Sequence, residues 1–177
     1  FRGRIEYFFE DAQGTLWACH KHGIYQWQLA HGLFRWVQDL PDDVLYIHHL
    51  PQVGLIASTL SGIFALQRSG AGFKIPPLEV PGPFQQELAT AFHEDKKGRL
   101  YLALDAKRLV VLEKQGEQYR QTAELTEIGF AQSFYEIRDT LWIASTTGIF
   151  CLNTKDLKWR RLTEREDGAP SEYYYGI

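Results

Sequence analysis

At 177 residues the chain is long enough to bury a core, and its 45% hydrophobic and 23% charged residues are ordinary for a globular protein. A formal net charge of −3 supplies no basic field for nucleic acid or an anionic membrane. No apolar run reaches the ~18 residues of a membrane helix, and no signal peptide is visible.

In chain order the first predicted strand holds Tyr7-Phe8-Phe9. It is followed by the turn Ala12-Gln13-Gly14, the run Leu16-Trp17-Ala18-Cys19, a turn closed by Gly23, the pair Ile24-Tyr25, and Phe34-Arg35. The same succession then returns three times. Strands led by Leu45-Tyr46-Ile47, Ala91-Phe92 and Ser133-Phe134-Tyr135 precede runs anchored on Leu55, Leu100 and Leu141. The anchors are 39 (16 to 55), 45 (55 to 100) and 41 (100 to 141) residues apart. Three positions after each anchor stands a small residue: Cys19, Ser58, Ala103 or Ala144. A glycine follows at Gly23, Gly62 and Gly148, and the third copy has Lys107-Arg108 with one inserted residue. An aromatic–base pair closes each copy: Phe34-Arg35, Phe73-Lys74, Tyr119-Arg120 and Trp159-Arg160.

Four short strands per 40–45 residues is the arithmetic of a propeller blade. The spacing predicts an all-β fold: a β-propeller segment of four four-stranded antiparallel blades plus the first strand of a fifth, part of a larger ring. The predicted blades span 5–43, 44–87, 88–127 and 128–172, with a fifth beginning at 173–177. The second strand of each copy is apolar at consecutive positions, as expected of a sheet covered on both faces. Helical repeats would need 3.6-residue periodicity over longer runs, which no copy has. There is no Met, even at position 1, as expected of a processed product or an excised piece of a longer chain.

The motif Glu10-Asp11-Ala12-Gln13-Gly14-Thr15-Leu16-Trp17 followed by Gly23-Ile24-Tyr25 resembles the two-component regulator propeller repeat. So do Glu94-Asp95-Lys96-Lys97-Gly98-Arg99-Leu100-Tyr101, Leu141-Trp142-Ile143-Ala144 with Gly148-Ile149-Phe150, and the lead-in Asp167-Gly168-Ala169-Pro170-Ser171. The resemblance covers nearly the whole chain, with the second and third copies less faithful. It implies a periplasmic sensor region of a membrane-anchored hybrid histidine kinase, with an oligosaccharide ligand and further blades of the same chain as partners.

Glu10-Asp11 and Glu94-Asp95 recur at one repeat position before a turn glycine. There an Asp caps backbone N–H groups, so these pairs are read as structural rather than catalytic. Trp17 and Trp142 sit at a core landmark, whereas Trp36 is expected on an outer strand. Cys19 and Cys151 are read as small core residues. No metal set converges around Cys19-His20-Lys21-His22, and His48 and His49 point to opposite faces. No catalytic residue, metal or cofactor is assigned. The loops that vary between copies on a rigid scaffold are the candidate ligand contacts: His20, Lys21, His22, Asp105, Lys107, Arg108, Thr146 and Thr147. The leading expectation is a ligand sensor that binds no nucleic acid. A propeller enzyme, such as a lyase or glycoside-active protein, and a protein-interaction scaffold remain the alternatives. Uncovered faces at the ends of the segment are expected to invite self-association.

Overall fold

A computed structural model describes residues 5–11, 13–20, 22–40, 43–69, 72–104, 107–116, 118–163 and 167–168. The predicted fifth-blade strand at 173–177 lies outside these residues. Four sheets follow one another along the chain, each a meander of four antiparallel strands. The first holds β1 (Ile5–Glu10), β2 (Leu16–His20), β3 (Gly23–Gln28) and β4 (Leu33–Asp39). The second holds β5 (Val44–Leu50), β6 (Gly54–Thr59), β7 (Gly62–Ser69) and β8 (Gly72–Lys74). The third holds β9 (Ala89–Glu94), β10 (Leu100–Leu104), β11 (Arg108–Gln115) and β12 (Gln118–Leu125). The fourth holds β13 (Ala131–Ile137), β14 (Thr140–Ser145), β15 (Gly148–Asn153) and β16 (Trp159–Arg161).

The copies agree in register as well as in order. Anchor Leu16 pairs with Glu10, Leu55 with His49 and Leu141 with Glu136. One irregularity near the start of the first strand recurs between Ile5 and Tyr7, Val44 and Tyr46, and Ala131 and Ser133. Such a bulge adds local twist, and its return at one position marks it as part of the unit.

The chain divides into two compact units, 1–89 and 90–177. In the first unit, Trp17 and Cys19 of β2 pack in one core with Ile47 of β5, Ala57 of β6 and Leu66 of β7. In the second, Tyr101 and Ala103 of β10 join Leu141 and Ile143 of β14 and Phe150 and Leu152 of β15. Because side chains alternate along a strand, one rule describes both units. The face one and three residues after the anchor packs on the next sheet's face of the anchor and the residue two beyond it. The small residues Cys19, Ser58, Ala103 and Ala144 are all buried. Every residue of β10 is buried, as consecutive apolarity predicts. The first sheet departs from this: Phe8 is 53% and Leu16 36% exposed, on the face turned away from Trp17 and Cys19. In the fourth sheet Tyr135 is 60% exposed on the face opposite Leu141 and Ile143.

The connection from the second sheet to the third contains more order than turn residues alone foretell. After β8 the chain keeps bonding β7 through Ala65 N–H to Pro76 O and Leu78 N–H to Ile63 O. A single helical turn, α1 (Gly82–Gln85), then buries Phe84, with proline in its first positions, where the missing N–H costs nothing. Cys19 is in the core as expected, whereas Cys151 is only half-buried, and both are free thiols. Cys151 projects from the face of β15 opposite Phe150 and Leu152, which no described sheet of its unit covers.

Two glycines separate backbone strain from steric conflict. Gly62 has φ 131° and a Cβ there would overlap the Gln85 carbonyl oxygen, whereas Gly54 has φ 86° and open space around it. Gly54→Ala is expected to cost about 1–3 kcal/mol from φ alone. Gly62→Ala is expected to cost clearly more in urea unfolding; equal costs would contradict the packing of this turn on the segment around α1.

Candidate functional site

In an antiparallel meander the turn from first to second strand and the turn from second to third lie at opposite ends of the sheet. The candidate ligand contacts all belong to the second-to-third turns. Three of these turns share one device, a side chain four residues after the anchor that accepts the N–H two residues on. His20 Nδ1 accepts from His22 N–H at 3.3 Å, Thr59 Oγ1 from Ser61 N–H at 3.1 Å, and Ser145 Oγ from Thr147 N–H at 3.1 Å. The third copy has Leu104 there and closes instead with Lys107 N–H to Leu104 O at 3.0 Å, Lys107 taking φ 61°.

In the first unit, His22 Nδ1 lies 2.8 Å from Asp43 Oδ1, and His22 O accepts Leu40 N–H. His20 sits beside Tyr25 and Trp36, whose rings meet edge-on at 4.7 Å. Trp36 is 37% exposed, as expected of an outer strand. Lys21 lies outside the described residues, as does Asp105. In the second unit the structure gathers Lys107, Thr146 and Thr147 around the link Ile128-Gly129-Phe130. Lys107 Nζ lies 5.4 Å over the Phe130 ring. Thr146 Oγ1 accepts Phe130 N–H at 3.1 Å, and Thr147 Oγ1 donates to Ile128 O at 2.9 Å. Both threonine hydroxyls are thus tied to backbone, and Lys107 presents the exposed cation. Arg108 is drawn to Glu124 at 3.2 Å on the neighbouring strand.

The opposite end of the sheets, which the sequence reading left out of the candidate contacts, contains a well-formed cleft. The turn after β1 is built around Asp11. Its Oδ1 accepts Gln13 N–H at 3.0 Å and Thr15 N–H at 2.9 Å, while Oδ2 accepts the Trp17 indole N–H at 2.8 Å. Asp95 repeats this in the third copy, with Oδ1 accepting from Lys97 at 2.9 Å and Arg99 at 3.0 Å and Oδ2 accepting the Tyr101 hydroxyl at 3.1 Å. Both turns place glycine at φ 76°, Gly14 and Gly98. The expectation that these acids are turn residues holds.

The two copies differ in what lies beside the carboxylate. Arg99 brings its guanidinium to Asp95 Oδ2 at 2.7 Å, donates to Thr154 O of the fourth sheet, and lies 3.7 Å from Glu113. Nearby, His93 Nε2 meets Glu136 Oε2 at 2.9 Å. Side chains of Arg99, His93 and Glu136 thus occupy the groove between the third and fourth sheets. In the first copy Thr15 stands at the position of Arg99, and His49 at that of Glu136. A cleft of about 530 Å³ remains there, lined by Asp11, Gln13, Thr15, Trp17, His49 and Phe73 among others. Burial alone would raise the Asp11 carboxyl, but hydrogen bonds from Thr15, Trp17 and Gln13 outweigh it and hold its pKa below the ordinary carboxylate value. For Asp95 burial likewise acts upward, and Arg99 and Lys97 outweigh it. The indole of Trp17 is buried, so it is the wall of the cleft and no platform for a stacked sugar. Among the described residues no group of three potential ligands converges on a metal position.

No family model matches the chain, and no curated protein does. Among solved structures, the extracellular domain assigned to a one-component system of B. thetaiotaomicron is similar with a TM-score of 0.69 at 15% identity, over 93% of this chain and 25% of that one. One assigned to a hybrid two-component system of the same organism gives 0.66 at 16% identity, over 96% and 23%. The fold is a β-propeller. That agrees with the propeller repeat seen in the sequence. The chain spans about a quarter of the length of those two structures. A catalytically inactive virginiamycin B lyase from Staphylococcus aureus, solved with quinupristin, is similar at 0.68 and 14% identity, over 95% and 58%. The propeller scaffold therefore occurs here with both sensor and enzyme neighbours, and fold alone does not choose between them.

Burial also marks His48, beside the cleft residue His49 in β5, and pushes its pKa down from 6.5 to about 4. The unfolded chain then binds a proton in this window that the folded chain does not, so stability falls as pH drops from about 6.5 to 4. Urea midpoints measured across this range are expected to fall less steeply in His48→Phe than in the parent protein. Parallel slopes would contradict a half-buried imidazole held neutral in the folded chain.

Proposed function

We propose that this β-propeller chain is a ligand-sensing segment of an extracytoplasmic two-component sensor, with an oligosaccharide as ligand and a histidine kinase downstream. The observation that carries the reading is the alignment of 96% of the chain with the extracellular domain assigned to a hybrid two-component system. The Glu-Asp-x-x-Gly-x-Leu motif at 10–16 and 94–100 supports it independently. The exposed apolar faces carrying Phe8 and Leu16, and Tyr135, suit burial under further blades of the same longer chain.

The ligand is assigned to the second-to-third-strand turns. His20, Lys21 and His22 contribute in one unit, and Asp105, Lys107, Arg108, Thr146 and Thr147 in the other. Cationic and imidazole groups over a rigid scaffold suit sugar hydroxyls and carboxylates. Within this set the structure supports a division of labour: Lys107 and His22 are exposed at the turn tips, while Thr146 and Thr147 fix the turn. A propeller enzyme is the second reading, favoured by the lyase likeness over 95% of the chain.

Calorimetric titration of the full-length protein with a panel of neutral and acidic oligosaccharides tests the proposal. Saturable binding that is at least about fivefold weaker in Lys107→Ala or His22→Ala, with no turnover of the bound sugar, is expected. Product formation would transfer the case to the enzyme reading. A full-length gene without a membrane helix and kinase would overturn the sensor reading.

A further inference from the structure

The cleft at the Asp11 end accompanies a difference between repeat copies at the residue before the anchor, Thr15 against Arg99. Asp95 and Asp11 hold equivalent turns with equivalent hydrogen bonds, and Tyr101 and Trp17 donate to the same carboxylate oxygen, Oδ2. In the third copy that oxygen also takes the guanidinium of Arg99, which runs over the Tyr101 ring at 5.9 Å and on to the Thr154 carbonyl. The pair is almost fully buried, with side-chain exposures of 7% and 2%. In the first copy Thr15 is too short to reach that place. The carboxylate is held in the same way, an aromatic ring again donates to it, and the space beside it is open.

We propose that the cleft lined by Asp11, Thr15, Trp17 and His49 is a binding site for a guanidinium group carried by a small ligand, which takes the place that Arg99 fills within its own copy. The protein thus contains a worked example of the complex. A carboxylate oxygen has room for more than one donor, and Asp11 Oδ2 accepts the Trp17 indole alone among the described hydrogen bonds. A volume of about 530 Å³ falls in the range of small-molecule sites. The lining beyond the carboxylate is apolar, with Leu55, Leu66 and Phe73 beside the Trp17 wall, which suits the alkyl stem that carries a guanidinium. The carboxylate is fixed in place by the backbone N–H groups of Gln13 and Thr15, so the ligand meets an acceptor that needs no reordering. This site lies at the opposite end of the strands from the turns assigned above to an oligosaccharide. It stands or falls separately from that reading.

The test is an NMR titration of the protein with ethylguanidinium, using ethylurea as the neutral isostere. The reporter is the Trp17 indole N–H, together with the Gln13 and Thr15 amides. A saturable shift with ethylguanidinium and none with ethylurea is expected, with Kd on the order of millimolar. Asp11→Asn is expected to weaken binding at least about tenfold, since it removes the charge that the guanidinium meets. Because Asp11→Asn also touches the turn, Thr15→Arg serves as the second variant. It restores the residue of the third copy and is expected to abolish binding while keeping the protein folded. Equal shifts with ethylurea, no saturable shift at Trp17, or undiminished binding in Thr15→Arg would each overturn the proposal.

Discussion

A four-stranded sheet with two apolar faces must be covered twice, and this requirement governs the rest of the structure. A single sheet of such short strands cannot bury its own faces, so within each unit the two sheets pack face to face, with the second strand of each at the contact. The most regular positions follow directly. The residue after the anchor is large where it fills the gap between sheets, as Trp17 and Tyr101 do. Two residues later on that same face a small one is needed, as at Cys19 and Ala103. Removing a packed aliphatic such as Ile143 would leave a cavity between two sheets, and such losses commonly amount to about 2–5 kcal/mol.

A large aromatic at this position brings a polar atom into the core, and the turn before it supplies the partner. The Asp11 and Asp95 carboxylates therefore do two tasks at once. Each closes the turn by accepting two backbone N–H groups and each satisfies the N–H or O–H of the buried ring. An unmet indole donor at that depth would cost about 1–3 kcal/mol. Where that ring is fully buried, as Trp17 and Tyr101 are, the repeat thus places an ionised acid at the rim of the groove between sheets. Where an arginine follows it, the groove closes on a buried ion pair; where a threonine follows it, the groove stays open. A structural necessity of the repeat becomes the raw material for a binding site.

Most of the fold was legible in the sequence because its signals are periodic. The anchors, the small residues three positions on, and the turn glycines keep register in four copies, and the sheets follow them. Cys151 and α1 were not legible in that way. Cys151 has the same apolar neighbours as a core residue, and its exposure depends on which face the next sheet covers. The turn Gly82–Gln85 interrupts a link whose prolines signal only an irregular path. The candidate site was legible in part. Loop variation directed attention to the second-to-third turns, whose hydroxyls at Thr146 and Thr147 prove to be bonded to their own link. The cleft at the other end was hidden because its acid obeys the repeat. The signal that could have found it was the exchange of Arg99 for Thr15 inside an otherwise matching motif.

Native-state hydrogen exchange measures the governing constraint most directly. If coverage of both faces holds the stack together, the amides of β10, buried along its whole length, exchange only through global unfolding. Those of β16, whose three residues are all exposed, open locally at much lower free energy. The account predicts that ordering, with β14 close to β10. Protection in β16 equal to that in β10 would contradict it, because stability would then not depend on which strand is covered on both sides.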